Sequence, residues 1–145
     1  MNKEMAFRWI WKADRDFLLA TQVNETFSDM AAYHYQQAAE KYLKAFLSFH
    51  QIGLKKIHNI GTLTLLASNI DPEFTKLVTV ADVDTITEFA TLFRYPNEEE
   101  VDFPDSADLQ SARKFCEAAK QMVLERISIA LDTDGKRDGR SETPE

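Results

Sequence analysis

Residues 31–46, AAYHYQQAAEKYLKAF, constrain this chain more than any other stretch. Set at 100° per residue, Ala32, Tyr35, Ala38, Ala39, Tyr42, Leu43, Phe46 and Phe49 fall in one broad apolar arc. Tyr33, Gln37, Glu40, Lys41 and Lys44 gather on the opposite arc, and Gln36 sits at the border. The period is helical. The polar arc, rich in glutamine, carboxylate and ammonium groups, is either simply solvated or a surface with a task.

The rest of the chain reads as helix too. Only four glycines and four prolines occur in 145 residues, and Gly135 and Gly139 lie near the end. So few breakers favour long helices over many short strands. A first helix is expected over about 3–24, carried by Ala6, Trp9, Ile10, Ala13, Phe17, Ala20 and Thr21, with Lys12, Asp14, Arg15 and Asp16 as its wet positions. Trp9 and Trp11 stand about 160° apart on it, so one of them meets a partner or covers an edge. The second helix, capped by Thr26 or Ser28, is expected to run to about Ile52, with Gly53 as the residue that ends it. A short third helix covers about 59–69. Asp71-Pro72-Glu73 opens a fourth, which ends by Arg94 before Pro96 and is expected to kink near Asp82 to Asp84. The last helix starts at Asp105 or Ser106 and carries an apolar stripe to about Leu131. The expected architecture is all-α: one domain over 1–131, an up-and-down bundle of four long helices plus one short helix. Residues 132–145 lack apolar side chains apart from a proline, and are expected to form a disordered polar tail.

Charge and composition narrow the function classes. A net charge of -7 disfavours nonspecific coating of nucleic acid or an anionic membrane, though not a local basic cleft. One cysteine, Cys116, allows no intrachain disulfide and no cysteine-based zinc site, and it falls on the apolar stripe of the last helix. No secretory leader pattern and no membrane-length apolar run occur, so the expected location is cytoplasmic. The histidines at 34, 50 and 58 lack the helical spacing of a bundle metal site. His50 reads as a core histidine. Glu98, Glu99, Glu100 and Asp102 read as a solvated acidic loop. No metal and no cofactor are expected.

The cations say more. Lys41, Lys44, Lys55, Lys56, His58 and Arg94 come from the second helix, the connector after it and the end of the fourth. Arg94 can serve as a helix-terminal dipole partner, paired with Glu40. It can instead share a cleft with Lys44 and Gln37 and grip a phosphate through its fork. Spacing alone leaves both open and favours the first.

Residues 31–47, then His58-Asn59-Ile60 with Leu63-Thr64-Leu65-Leu66, then Thr87-Glu88-Phe89 with Arg94-Tyr95-Pro96-Asn97, resemble the HEPN domain family in that order. Trp11 to Asp16 resembles its first-helix opening and Ala107 to Ile127 its last helix, so the resemblance covers about 5–131. It implies a helical bundle that usually dimerises, with a cleft at the dimer interface. Many members cleave RNA, often as toxins of toxin–antitoxin pairs. Others are non-catalytic and accompany a small nucleotidyltransferase as a substrate- or nucleotide-binding subunit. Catalytic members follow the arginine with a histidine after four to six intervening residues. Here positions 99, 100 and 101 are Glu, Glu and Val, no histidine follows His58, and Val101 stands where some members carry a modifiable tyrosine. Metal-free RNA cleavage needs a base for the 2′-hydroxyl and an acid for the leaving oxygen, whereas adjacent acids repel the polyanion. The leading expectation is a non-catalytic Arg-Tyr-Pro type member. It would hold a nucleotide or RNA phosphate in a homodimer cleft through Gln37, Glu40, Lys41, Lys44, His58, Arg94 and Tyr95, beside a small nucleotidyltransferase. Two alternatives stand next to it. One is a ribonuclease toxin using Arg94 with an acid or His58. The other is a structural interaction module using Trp9 or Trp11, Tyr33 and Tyr95, with Glu40 merely paired to Lys44.

Overall fold

A computed structural model describes residues 1–53, 56–93, 96 and 103–141, the side chains of 134–141 excepted. Among these residues the chain is helical without a strand: α1 (Lys3–Val23), α2 (Ser28–Phe49), α3 (Ile60–Ile70), a 3-10 helix (Pro72–Thr79), α4 (Val83–Glu88) and α5 (Ser106–Ser141). The all-α expectation holds. The fourth long helix does not: its place is taken by the 3-10 helix and the short α4, so three helices are long rather than four. The cause is local. Leu77-Val78-Thr79-Val80 is poor in helix formers, and Asp82 caps a fresh start by accepting from the Asp84 and Thr85 amides at 3.0 and 3.4 Å. The break falls where the sequence predicts a kink.

Helix starts follow their capping residues. Asn2 Oδ1 accepts from the Met5 amide, Asn59 Oδ1 from Thr62, Asp71 Oδ1 from Glu73 and Asp105 Oδ1 from Asp108. The exception is α2, whose cap position is Phe27 and carries no side-chain cap. There the chain turns over from α1 with backbone bonds alone, Phe27 N–H to Val23 O at 2.8 Å and Ala31 N–H to Phe27 O at 2.9 Å.

The end of α2 also departs from expectation. It stops at Phe49, and Gln51, not Gly53, adopts the left-handed conformation, at φ 60°. The Ile52 amide returns to Leu47 O and the Gln51 amide to Ser48 O, both at 3.0 Å, closing a Schellman motif. At the other end of the chain, α5 continues through Ser141, ten residues past Leu131. No proline interrupts residues 132–141.

α2 is the central element. It packs on α1, α3, α4 and α5, while α1 and α5 barely meet each other. Ala6, Ala13 and Ala20 recur every seven residues on α1 and are buried, as are Ala31, Ala32, Ala38, Ala39 and Ala45 on α2. Small side chains on both faces let the two backbones approach closely. Asn2 N–H donates to Phe49 O at 2.9 Å, so the hairpin is antiparallel. Phe46, Phe74, Phe89, Phe115, Leu63 and Leu77 fill the space between α2, α5 and the α3 to α4 segment.

Because α2 is enclosed, much of its polar arc is enclosed with it. Glu40 and Lys44 are each only 5% exposed, and Gln36, at the border of the wheel, is completely buried.

Candidate functional site

Three polar groups of α2 side chains are tied to the elements around it. The first contains Glu40, Lys44 and His58. Glu40 Oε1 lies 2.9 Å from His58 Nδ1, and Glu40 Oε2 lies 3.7 Å from Lys44 Nζ. The Lys44 ammonium also stands 5.7 Å from the centre of the Trp9 ring, a cation–π approach from α1. His58 is placed by its neighbours. Asn59 caps α3, and the Ile60 amide donates to Thr87 Oγ1 of α4 at 3.0 Å. The connector is thereby fixed at the start of α3, and its imidazole comes over Glu40.

Beside this group, Gln37 Nε2 donates to Gln36 Oε1 at 2.7 Å. Among the described residues, Gln36 Nε2 has no hydrogen-bond partner although it is buried.

The second group joins α1 to α2. Asp16 accepts from Lys41 Nζ at 2.5 Å through one oxygen and meets His34 Nδ1 at 2.9 Å through the other. In the third, Asp14 Oδ1 accepts from Tyr42 Oη at 2.5 Å and pairs with Lys120 Nζ of α5 at 2.8 Å. Burial and this carboxylate push the Tyr42 phenol well above its ordinary range, so it stays a donor. Burial likewise pushes the Cys116 thiol up, and its Sγ donates to Tyr35 O at 3.1 Å. Cys116 is a core residue, as the stripe predicts, with no thiolate chemistry. His50 is half-buried, edge-on to Phe46 and Phe49 at 4.6 and 5.1 Å.

Of the residues singled out in the sequence, the fold gathers Glu40, Lys44 and His58, with Gln37 nearby on the same helix. It sends Lys41 elsewhere, to Asp16. Arg94 and Tyr95 lie outside the described residues, as do Lys55, Glu98, Glu99, Glu100 and Asp102. Sequence reasoning missed Asp14 and Asp16 as partners. Both looked like wet positions of α1, yet both are partly buried against α2 and α5. The signal was available: two acids of α1 and two cations of α2 and α5, all bordering apolar stripes.

No group of three or more His, Cys, Asp or Glu able to hold a metal occurs among the described residues, and no helix there is long and apolar enough to cross a membrane. Neither curated proteins nor solved structures return a match to the chain. A comparison with protein families matches the HEPN domain over residues 6–127, from the first buried alanine of α1 to the last buried isoleucine of α5. The match spans the whole helical core, and the chain belongs to the HEPN domain family.

Proposed function

We propose that this HEPN chain grips a phosphate of a nucleotide or RNA without cutting it, in a cleft completed by a second copy. Gln37, Glu40, Lys41, Lys44, His58, Arg94 and Tyr95 are the residues assigned to it. Its role is that of an accessory or substrate-binding subunit to a small nucleotidyltransferase.

The observation that carries this reading is the state of Lys44. A buried ammonium needs compensation, and among the described residues Lys44 meets only a carboxylate at 3.7 Å and an indole face. Neither is a hydrogen bond by distance. An ammonium held in place with donor capacity left over suits a phosphate oxygen. Glu40 orients both cations of the group, Lys44 and, when protonated, His58. Lys41, held by Asp16, contributes charge one turn earlier on α2 rather than a direct grip. The non-cutting half of the reading rests on the sequence, which has no histidine after His58.

Calorimetric titration with nucleoside monophosphates tests it. The wild type should release heat, and Lys44→Met and Arg94→Ala should each abolish most of it. Equal heats in all three proteins, or none in any, would overturn the assignment.

A further inference from the structure

The outer face of α1 carries a groove that meets the phosphate grip only at Trp9 and Lys41. Met5, Phe7, Trp9 and Trp11 line an open groove of about 920 Å³ together with Arg8 and Lys12. Trp11 is 56% exposed and Phe7 41%, a large apolar area for a helix surface. The two aromatic rings are one turn apart, and the next row of the helix is cationic: Arg8, Lys12 and Arg15. The Arg15 guanidinium stands 4.9 Å from the centre of the Trp11 ring, and Lys12 Nζ 5.4 Å from it.

The charges of this face are unbalanced. Asp14 and Asp16 are occupied by Lys120, Tyr42, His34 and Lys41, on the inward side of α1. Glu4 is the acid that lines the groove. Among the described residues, Arg8, Lys12 and Arg15 form no ion pair. A chain of net charge -7 therefore presents one local stripe of cations beside flat aromatic rings. Pairing two copies through this face would bring like charges together, which disfavours a second copy as its occupant. Exposed rings that stack and cations that follow a backbone are the two components of single-strand recognition.

We propose that the α1 groove is a binding site for single-stranded nucleic acid, in which bases stack on Trp11 and Phe7 and phosphates run along Arg8, Lys12 and Arg15. Trp9 is shared between this groove and Lys44, so a strand lying on α1 leads toward the Glu40, Lys44 and His58 group. The inference rests on the phosphate-grip reading only for that continuation. It adds that the ligand is a strand rather than a mononucleotide.

The chain has two tryptophans and both line the groove, so tryptophan fluorescence reports binding there, although Trp9 also adjoins Lys44. Titration with a short oligouridylate, its DNA counterpart, uridine monophosphate and polyglutamate separates the possibilities. Oligouridylate should quench the emission and bind at least tenfold more tightly than the mononucleotide. Followed by anisotropy of a labelled strand, Trp11→Ala should weaken binding about tenfold. The double variant Arg8→Glu/Lys12→Glu should weaken it further at low salt and flatten its salt dependence. Comparable affinity for the DNA strand identifies the groove as indifferent to the 2′-hydroxyl and supports the proposal equally. Lys44→Met should abolish mononucleotide binding while leaving most of the quenching by the strand. The proposal falls if Trp11→Ala binds the strand as the wild type does, or if polyglutamate binds as tightly as oligouridylate, which would mark an acidic-peptide site. It falls equally if Trp11→Ala dissociates a dimer in light scattering without affecting any strand. Mononucleotide binding that depends on Lys44, with no gain for the strand, would sink this inference alone and leave the phosphate grip standing.

Discussion

His58 Nδ1 lies 2.9 Å from Glu40 Oε1, so an imidazole that is 66% exposed is tied to a carboxylate that is only 6% exposed. The carboxylate's other oxygen faces Lys44. Glu40 thus joins a surface connector to a buried cation on the central helix. A charge this deep is tolerated only through its partners.

Removing the partner should therefore cost more than removing the pair. Glu40→Ala leaves the Lys44 ammonium buried beside Trp9 and is expected to destabilise the fold by about 3 kcal/mol. His58→Ala, at an exposed site, should cost under about 1 kcal/mol. The double variant Glu40→Ala/Lys44→Met should recover a large part of the first loss. Urea denaturation of the wild type, Glu40→Ala, Lys44→Met and the double variant gives the coupling directly. Strict additivity of the two α2 substitutions would show that the buried pair does not act as a unit.

This buried pair also shows where sequence reading reaches its limit. The periodic segments α1, α2 and α5 and their apolar stripes were legible, because each buries a face whose spacing repeats many times. The caps at Asp71 and Asp105 were legible because a short polar side chain before an apolar run has one physical use, whereas Asn2, Asn59 and Asp82 were not read as caps. The enclosure of Glu40 and Lys44 was not. A helical wheel assigns one buried side, but α2 has neighbours on several sides, and no local pattern reveals how many helices will surround a given one. The same limit hid Asp14 and Asp16, whose partners are 18 to 106 residues away in the chain. Leu77 to Val80 was ambiguous for a different reason. Its apolar content suited a helix and its β-branched residues opposed one, and the 3-10 turns are the outcome.

The left-handed residue after α2 offers a direct test of that local chemistry. Gln51 sits at φ 60°, where a side chain incurs a steric penalty that glycine avoids. Gln51→Gly should raise stability by about 1 kcal/mol, seen as a higher urea midpoint with an unchanged slope. Gly53→Ala should change it far less, since it does not hold the left-handed position. A loss of stability in Gln51→Gly would mean that the glutamine side chain supplies more than the strain removes.

Acid should weaken the fold through His50. Burial against Phe46 and Phe49 holds its imidazole below the ordinary value of 6.5, and the N-terminal charge adds to this while the Asp71 carboxylate opposes it. With a lowered pKa in the folded state, the unfolded chain takes up the proton first. Stability is then complete above about pH 7 and falls as pH drops through the unfolded value toward the folded one. Urea midpoints measured between neutral pH and pH about 5 should decline in the wild type. They should decline less in His50→Gln, whatever its absolute stability. An identical pH slope in both proteins would remove His50 as a contributor.

Gln36 offers the last test, because its amide is the one buried side-chain donor left unpaired among the described residues. Its Oε1 accepts from Gln37, but its Nε2 faces no acceptor. A buried orphan donor costs about 1–3 kcal/mol, and a neutral hydrogen bond contributes about 1. Gln36→Met keeps the volume, removes the donor and sacrifices the bond to Gln37. The balance should leave the variant more stable by up to about 1 kcal/mol in a thermal or urea melt. Nucleotide titration of the same variant then distinguishes two origins of the orphan. If the amide completes the phosphate grip next to Gln37, the gain in stability comes with a loss of affinity, the usual trade at a site built for a ligand. If affinity is unchanged, the orphan is a packing defect of an enclosed helix and Gln36 has no part in binding. A less stable variant would contradict both, since it would mean that Gln36 is already satisfied in the folded protein.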